Sequence, residues 1–95
     1  MRIVDSLLNS IKNSINEFKW EFEPSPEIRD DVVNFKFSLL KEADNPIQIE
    51  DKIARIFAVS QGQRIVILVN LKEKKAKVYH VIDYLYKKYI LKLPL

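Results

Sequence analysis

The segment Ile53–Leu71 constrains the fold more than any other part of the chain. It holds the only glycine of the 95 residues, between two runs that are rich in β-branched side chains. A Gln61-Gly62 pair supplies the positive φ that a tight hairpin turn requires, so the segment predicts two antiparallel strands. The turn sets a register in which Val59 faces Arg64, Phe57 faces Val66 and Arg55 faces Leu68.

Side chains alternate across a strand, so this register sorts the hairpin residues onto two faces. One face carries no charge and consists of Ala54, Ile56, Ala58, Ile65, Ile67, Val69 and Leu71. The other face is mixed and consists of Arg55, Phe57, Arg64, Val66, Leu68 and Asn70. We predict that the uncharged face is the core and that the arginine-bearing face is uncovered.

Both ends of the chain carry apolar residues at helical spacing. The pattern predicts amphipathic helices over residues 2–18 and over about 76–91. Residues 76–82 also alternate, so a further antiparallel strand is the competing interpretation there. The apolar stripe continues to Tyr89, which favours the helix.

The residues between the first helix and the hairpin predict shorter elements. Alternation over residues 18–22 indicates a short extended piece, and Ser25-Pro26 is typical of a helix start, with one or two turns to Asp31. Alternation over residues 33–39 predicts a half-buried strand. Ile47–Ile49 fits an early start of the next strand, with a bulge or break before Ile53.

These elements predict an α+β fold in a single small domain, residues 1–95. The predicted order is an N-terminal helix, a three-stranded antiparallel sheet and a C-terminal helix (α-β-β-β-α). Because both helices carry an apolar stripe and the sheet has one uncharged face, we expect both helices on that face.

The composition is that of a globular protein, with 47% apolar and 31% charged residues. The chain has no cysteine, which excludes disulfides and thiolate metal sites, and it has one histidine. The longest apolar run, Ile65–Val69, is far shorter than the roughly 20 residues of a membrane span. We therefore expect a soluble cytoplasmic protein without metal or cofactor. Few glycines and many Lys, Ile and Tyr residues suit a hot environment.

Charge is distributed unevenly along the chain, whose net charge is +3. Residues 1–51 hold six Lys/Arg against eleven Asp/Glu, a net −5, whereas residues 52–95 hold ten against two, a net +8. Such asymmetry indicates either an anion-binding surface or two halves that pair with each other, within the chain or across a dimer interface.

Two basic groups are candidate nucleic-acid contacts. The first is the lysine cluster at the predicted start of the last helix. Lysines are unfavourable at the positive end of the helix dipole, and a bound phosphate or carboxylate would offset that cost. The alternative is a solvated turn, in which lysines are common. The second is the mixed sheet face, where aromatic and cationic groups could stack bases and track phosphates. The candidate residues are Lys72, Lys74, Lys75, Lys77, Arg55, Arg64, Lys36 and Phe57.

Helix, three strands and helix, with Lys74-Lys75-Ala76-Lys77 opening the last helix, resembles the double-stranded RNA-binding domain over about residues 30–90. This topological resemblance implies that the lysines grip phosphates across a groove. The strands of Arg55–Lys75 resemble those of RelE/HigB-type ribonuclease toxins, which end in a Lys-Lys pair. Neither resemblance assigns the chain to a family.

The leading hypothesis is a small basic, non-enzymatic module that binds RNA or DNA. The alternative is a protein-interaction or inhibitor protein, and a small ribonuclease is third. Tyr79, Tyr84, Tyr86 and Tyr89 lie on more than one side of the predicted last helix, which indicates burial within the monomer or by a partner. Together with the mixed sheet face, this pattern predicts a homodimer.

Overall fold

The computed structural model describes residues 8–10, 12–13, 18–21 and 23–95. These residues form a mostly β fold around one six-stranded mixed sheet. The elements, in chain order, are β1 (Lys19–Trp20), α1 (Pro26–Asn34), β2 (Phe37–Leu39), β3 (Ile47–Glu50), β4 (Ile53–Ser60), β5 (Gln63–Asn70), β6 (Lys75–His80), α2 (Val81–Leu85) and a π-helical turn (Tyr86–Ile90). The predicted α-β-β-β-α order around a three-stranded sheet is therefore wrong.

The sheet has the strand order β1-β6-β5-β4-β2, and β3 also pairs with β4. All pairs are antiparallel except β1–β6, which is parallel. Because β5 occupies one edge of β4, β2 and β3 share the other edge, one after the other. Phe57 joins them, since its carbonyl accepts from Leu40 N–H at 2.8 Å and its N–H donates to the Pro46 carbonyl at 2.7 Å.

The central hairpin has the predicted register at every position, including Val59 opposite Arg64 and Arg55 opposite Leu68. Its two-residue turn has positive φ at Gln61 (49°) and at Gly62 (76°). Positive φ at both central residues is the type I′ geometry, whose twist matches that of the flanking strands. The local sequence therefore determines this part of the fold.

The uncharged hairpin face is buried, as predicted, except for Leu71, which lies in the turn after β5 and is exposed. We call this side of the sheet the inner face. Helix α1 packs there through Ile28 and Val32. The inner cluster consists of Phe18, Ile28, Val32, Ala54, Ile56, Ala58, Ile65, Ile67, Val69 and Ala76.

The competing interpretation of residues 76–82 is the correct one, because Lys75–His80 is strand β6. Ile67 lies opposite Val78 and Val69 opposite Ala76. A strand here pairs the second edge of β5, which a helix would leave with unpaired backbone groups. The helical stripe is real but begins only at Val81, so the predicted long C-terminal helix is wrong.

The arginine-bearing face is also covered, so the prediction of both helices on one face is wrong. Helix α2 follows β6 directly and packs on the outer face, opposite to α1. Phe57, Val66 and Leu68, which we expected to be uncovered, are buried there. The outer cluster consists of Leu40, Phe57, Val66, Leu68, Tyr79, Val81 and Tyr84.

The predicted strand over residues 33–39 combines a helix end with a shorter strand. Helix α1 continues to Asn34, and Phe35 then adopts a left-handed conformation with φ 57°. The Lys36 N–H donates to the Asp31 carbonyl at 2.9 Å, which satisfies a helix-terminal carbonyl. Only Phe37–Leu39 pairs with β4, so the strand is shorter than the alternating pattern predicts.

The predicted extended piece and the predicted helix start at Pro26 are confirmed by β1 and α1. Residues 8–10 and 12–13 are helical, in agreement with the predicted first helix, but Phe18, the last residue of that prediction, lies in a bend. The other residues of the predicted helix lie outside the described ones. None of the helices in the described part of the chain is both long enough and apolar enough to cross a membrane.

One buried polar contact ties α1 to the sheet. The Ser60 hydroxyl donates to Asp31 Oδ2 at 2.5 Å, and both residues are almost completely buried. Across the described residues, no buried side-chain nitrogen or oxygen lacks a hydrogen-bond partner. The contact therefore satisfies the side chains of Asp31 and Ser60, the two buried residues of the described set that are neither aliphatic nor aromatic.

Candidate protein-interaction surface

The lysine cluster does not lie at a helix start. Lys72 and Lys74 are in the turn between β5 and β6, and Lys75 and Lys77 are in β6 itself. These lysines therefore do not face the positive end of a helix dipole, although the sequence predicts that they do. The turn is instead held by Asn70 Oδ1, which accepts from the N–H groups of Lys72 at 3.1 Å and Glu73 at 2.9 Å.

Acidic side chains accompany two of these lysines. Lys75 Nζ lies 3.7 Å from Glu73 Oε2, and Lys77 forms an ion pair with Glu21, which follows β1. The parallel pairing of β1 with β6 brings Glu21 to Lys77, as well as Lys19 to Lys75. Some of the charge asymmetry between the two halves of the chain is therefore used within the monomer.

The structure does not assemble the other candidate residues into a base-stacking platform. Phe57 is buried, with the Tyr84 ring edge-on at a centroid distance of 5.7 Å. The side chain of Arg55 is only 12% exposed, and its Nε donates to the Leu95 carbonyl at 3.3 Å. Arg64 is exposed but paired with Glu42 at 2.9 Å, and Lys36 precedes β2 rather than lying in it.

The C-terminal segment instead exposes a continuous apolar surface. Val81 and Tyr84 point to the sheet and are buried, whereas Ile82 is 81% exposed. Large apolar side chains continue outward from Ile82 at intervals of three or four residues, which places them on one side of the helical segment. We call this set the apolar stripe: Ile82, Leu85, Tyr86, Tyr89, Ile90 and Leu93.

The segment is held in this orientation by contacts on its inner side. Leu91 N–H donates to the Tyr86 carbonyl at 3.1 Å, the spacing of a π-helical turn, and Leu93 N–H donates to the Lys87 carbonyl at 2.9 Å. The Tyr84 hydroxyl donates to the Leu95 carbonyl at 3.4 Å. These three bonds close the last residues against the helical segment. Val81 and Tyr84, which pack in the outer cluster, and Arg55, which donates to the Leu95 carbonyl, hold the segment on the sheet.

Two lysines of the segment lie over tyrosine rings, and Lys88 brings a cation to the stripe, because its Nζ lies 5.6 Å from the ring centroid of Tyr89. Lys87 Nζ lies 5.1 Å from the centroid of Tyr79, and Lys88 Nζ donates to the Tyr84 hydroxyl at 3.3 Å. Burial raises the pKa of the Tyr79 hydroxyl above its usual value, so Tyr79 is a neutral ring partner for Lys87.

An open groove of about 520 Å³ adjoins the start of the stripe. Gln63, Arg64 and His80 at the ends of β5 and β6 form one wall, and Ile82 and Leu85 of α2 form the other. The groove and the stripe are continuous through Ile82 and Leu85. Together they offer an elongated apolar surface whose border is polar.

The sequence contained one signal for this surface. The tyrosines on several sides of the segment predict burial within the monomer or by a partner, whereas Ile82, Leu85 and Tyr89 belong to the stripe that we expected to face the core. Because the strand β6 takes residues 75–80, only Val81 and Tyr84 are left to face the sheet. The outward-facing residues could not be recognised before that boundary was known.

The described residues contain no group of three or more His, Asp or Glu side chains that could hold a metal ion. Comparison with protein families, with curated proteins and with solved structures finds no match to the chain.

Proposed function

We propose that this chain is a non-enzymatic protein-interaction module whose contact surface is the apolar stripe and whose partner presents an amphipathic helix. The observation that supports the proposal most strongly is the exposure of Ile82, Tyr89 and Ile90, each well over half accessible. Scattered exposed apolar residues are ordinary, but a contiguous set bordered by polar residues marks a contact surface.

A helix is the partner element that fits the stripe. The exposed positions from Ile82 to Ile90 follow one another at helical spacing along about two turns, and Leu93 lies just beyond them, so a second helix laid beside the segment contacts the helical positions in turn. Of the charged residues near the stripe, Asp83 and Lys92 form no ion pair with another described residue. A partner helix with little net charge, apolar on one side, matches this surface.

Replacing Ile82 by Glu is expected to weaken binding of an amphipathic helix by at least ~30-fold, equivalent to about 2 kcal/mol. The substitution places a charge in the desolvated contact, where the stripe meets the groove, and Ile82 is 81% exposed, so no buried residue is replaced. The probe is a synthetic helix with leucines at positions i, i+4 and i+7 and with equal numbers of Glu and Lys elsewhere. Binding is measured from amide chemical-shift changes, which we expect along Val81–Leu93.

Ile49→Glu is the matched control, because Ile49 is an isoleucine of β3 that is 52% exposed and lies outside the stripe. It should leave probe binding unchanged. A peptide of the same composition, with its leucines at every second position, should not bind. Equal binding of both peptides, or shift changes away from Val81–Leu93, would contradict the proposal.

Phosphate binding by the lysines is a second candidate function, supported by their placement. The Leu71 N–H donates to the Lys52 carbonyl at 2.9 Å, which joins the β3–β4 turn to the β5–β6 turn at one end of the sheet. That end gathers Lys19, Lys52, Lys72, Lys74 and Lys75.

Binding of duplex RNA or DNA to these lysines should weaken steeply as the salt concentration rises. Lys72→Ala should reduce the slope of log affinity against log salt concentration by about 1. Absence of binding at low salt would remove this candidate.

A further inference from the structure

We infer that the partner helix is the apolar stripe of a second copy, and that the two stripes pair antiparallel about a two-fold axis near Tyr86. This inference rests on the proposed function, because it names the partner for the same surface. A two-fold interface is isologous, so a surface can form one only if it is complementary to itself.

The order of residues along the stripe meets that condition. Ile82 and Ile90 lie four residues before and four residues after Tyr86. Antiparallel pairing centred on Tyr86 therefore places Ile82 of each copy against Ile90 of the other, and brings the two Tyr86 side chains together. All three positions are more than half exposed, so the contact requires no rearrangement of the monomer.

The charges at the border favour the antiparallel direction. Asp83 lies near the start of the stripe, and Lys92 lies just beyond the π-helical turn. In an antiparallel pair the acid of each copy approaches the base of the other, whereas a parallel pair would place acid beside acid and base beside base. Lys87 and Lys88 are directed onto rings of their own chain, Lys87 onto Tyr79 and Lys88 onto Tyr84 and Tyr89.

Single cysteines test this geometry directly, because the chain has no cysteine of its own. Tyr86→Cys should form a disulfide-linked dimer under mild oxidation. Ile82→Cys alone and Ile90→Cys alone should not, since antiparallel pairing separates identical positions by about 12 Å along the helices, beyond disulfide reach. An equimolar mixture of Ile82→Cys and Ile90→Cys should cross-link. Ile49→Cys reports the background from random collisions.

The possible results test separately the antiparallel arrangement, the second copy as the partner, and the protein-interaction function of the stripe. Cross-linking of Ile82→Cys with itself as strongly as Tyr86→Cys would overturn the antiparallel arrangement. A cysteine-free chain that sediments as a monomer at all concentrations, with cross-linking no higher than for Ile49→Cys, would overturn the second copy as partner. If that monomer still binds the synthetic helix, the interaction function stands with another protein as partner; if it binds neither, both proposals fail.

Discussion

Replacement of Tyr84 by Ala is expected to lower the free energy of unfolding by about 3–5 kcal/mol, the cost of truncating a fully buried aromatic side chain. Tyr84 is 1% exposed and is the largest fully buried side chain of the described residues. Its ring lies edge-on to Phe57 at 5.7 Å and tilted to Tyr79 at 6.3 Å. The side chain fills the outer cluster, so its removal leaves a cavity beneath α2.

Urea unfolding followed by circular dichroism measures this loss. Tyr86→Ala is the matched control, because Tyr86 is 52% exposed, and it should change the stability by no more than about 0.5 kcal/mol. Both variants are compared in the Ile82→Glu background, since self-association through the stripe would otherwise make stability depend on concentration. Equal effects of the two replacements would mean that the outer face is not packed as described.

The hairpin could be predicted because its determinants are local. The Gln61-Gly62 turn fixes the register, and the register fixes which residues share a face. The side that became the inner face could be recognised as well, since it carries no charged side chain. These inferences needed no knowledge of the rest of the chain.

The outer face could not be predicted, because its cover depends on non-local pairing. Residues 76–82 fit both a strand and the start of a helix, and the free edge of β5 decides between them. Once β6 ends at His80, the chain reaches the outer face with Val81 and Tyr84 in position to pack on Phe57. A single boundary error of about five residues therefore misplaced the whole C-terminal helix and made a covered face appear open.

The position of the boundary between β6 and α2 also explains why the structure has an apolar surface where the sequence predicted a basic one. The basic sheet face depended on Arg55 and Phe57 being exposed, and the segment that covers them is the one whose boundary was wrong. That segment has more apolar residues than the sheet can bury, and the surplus becomes the apolar stripe. The tyrosine pattern indicated such a surplus, but only the position of α2 shows which residues belong to it.

Replacement of Ser60 by Ala is expected to cost about 1–3 kcal/mol, because it leaves the carboxyl group of Asp31 buried without its donor. Asp31 is 1% exposed and accepts the Ser60 hydroxyl at 2.5 Å, so the substitution removes a donor from a carboxyl group that lies almost completely out of solvent. The Lys36 N–H bonds to the Asp31 backbone carbonyl and is unaffected, which confines the change to the side chains. Urea unfolding in the Ile82→Glu background gives the loss.

The double variant with Asp31→Leu and Ser60→Ala separates an unsatisfied polar group from lost packing. When both partners become apolar, no buried group lacks a hydrogen bond, so the double variant should be more stable than Ser60→Ala alone. Losses that simply add would show that the two side chains do not act as a pair. In that case the attachment of α1 to the inner face would depend on its apolar side chains, Ile28, Val32 and Val33.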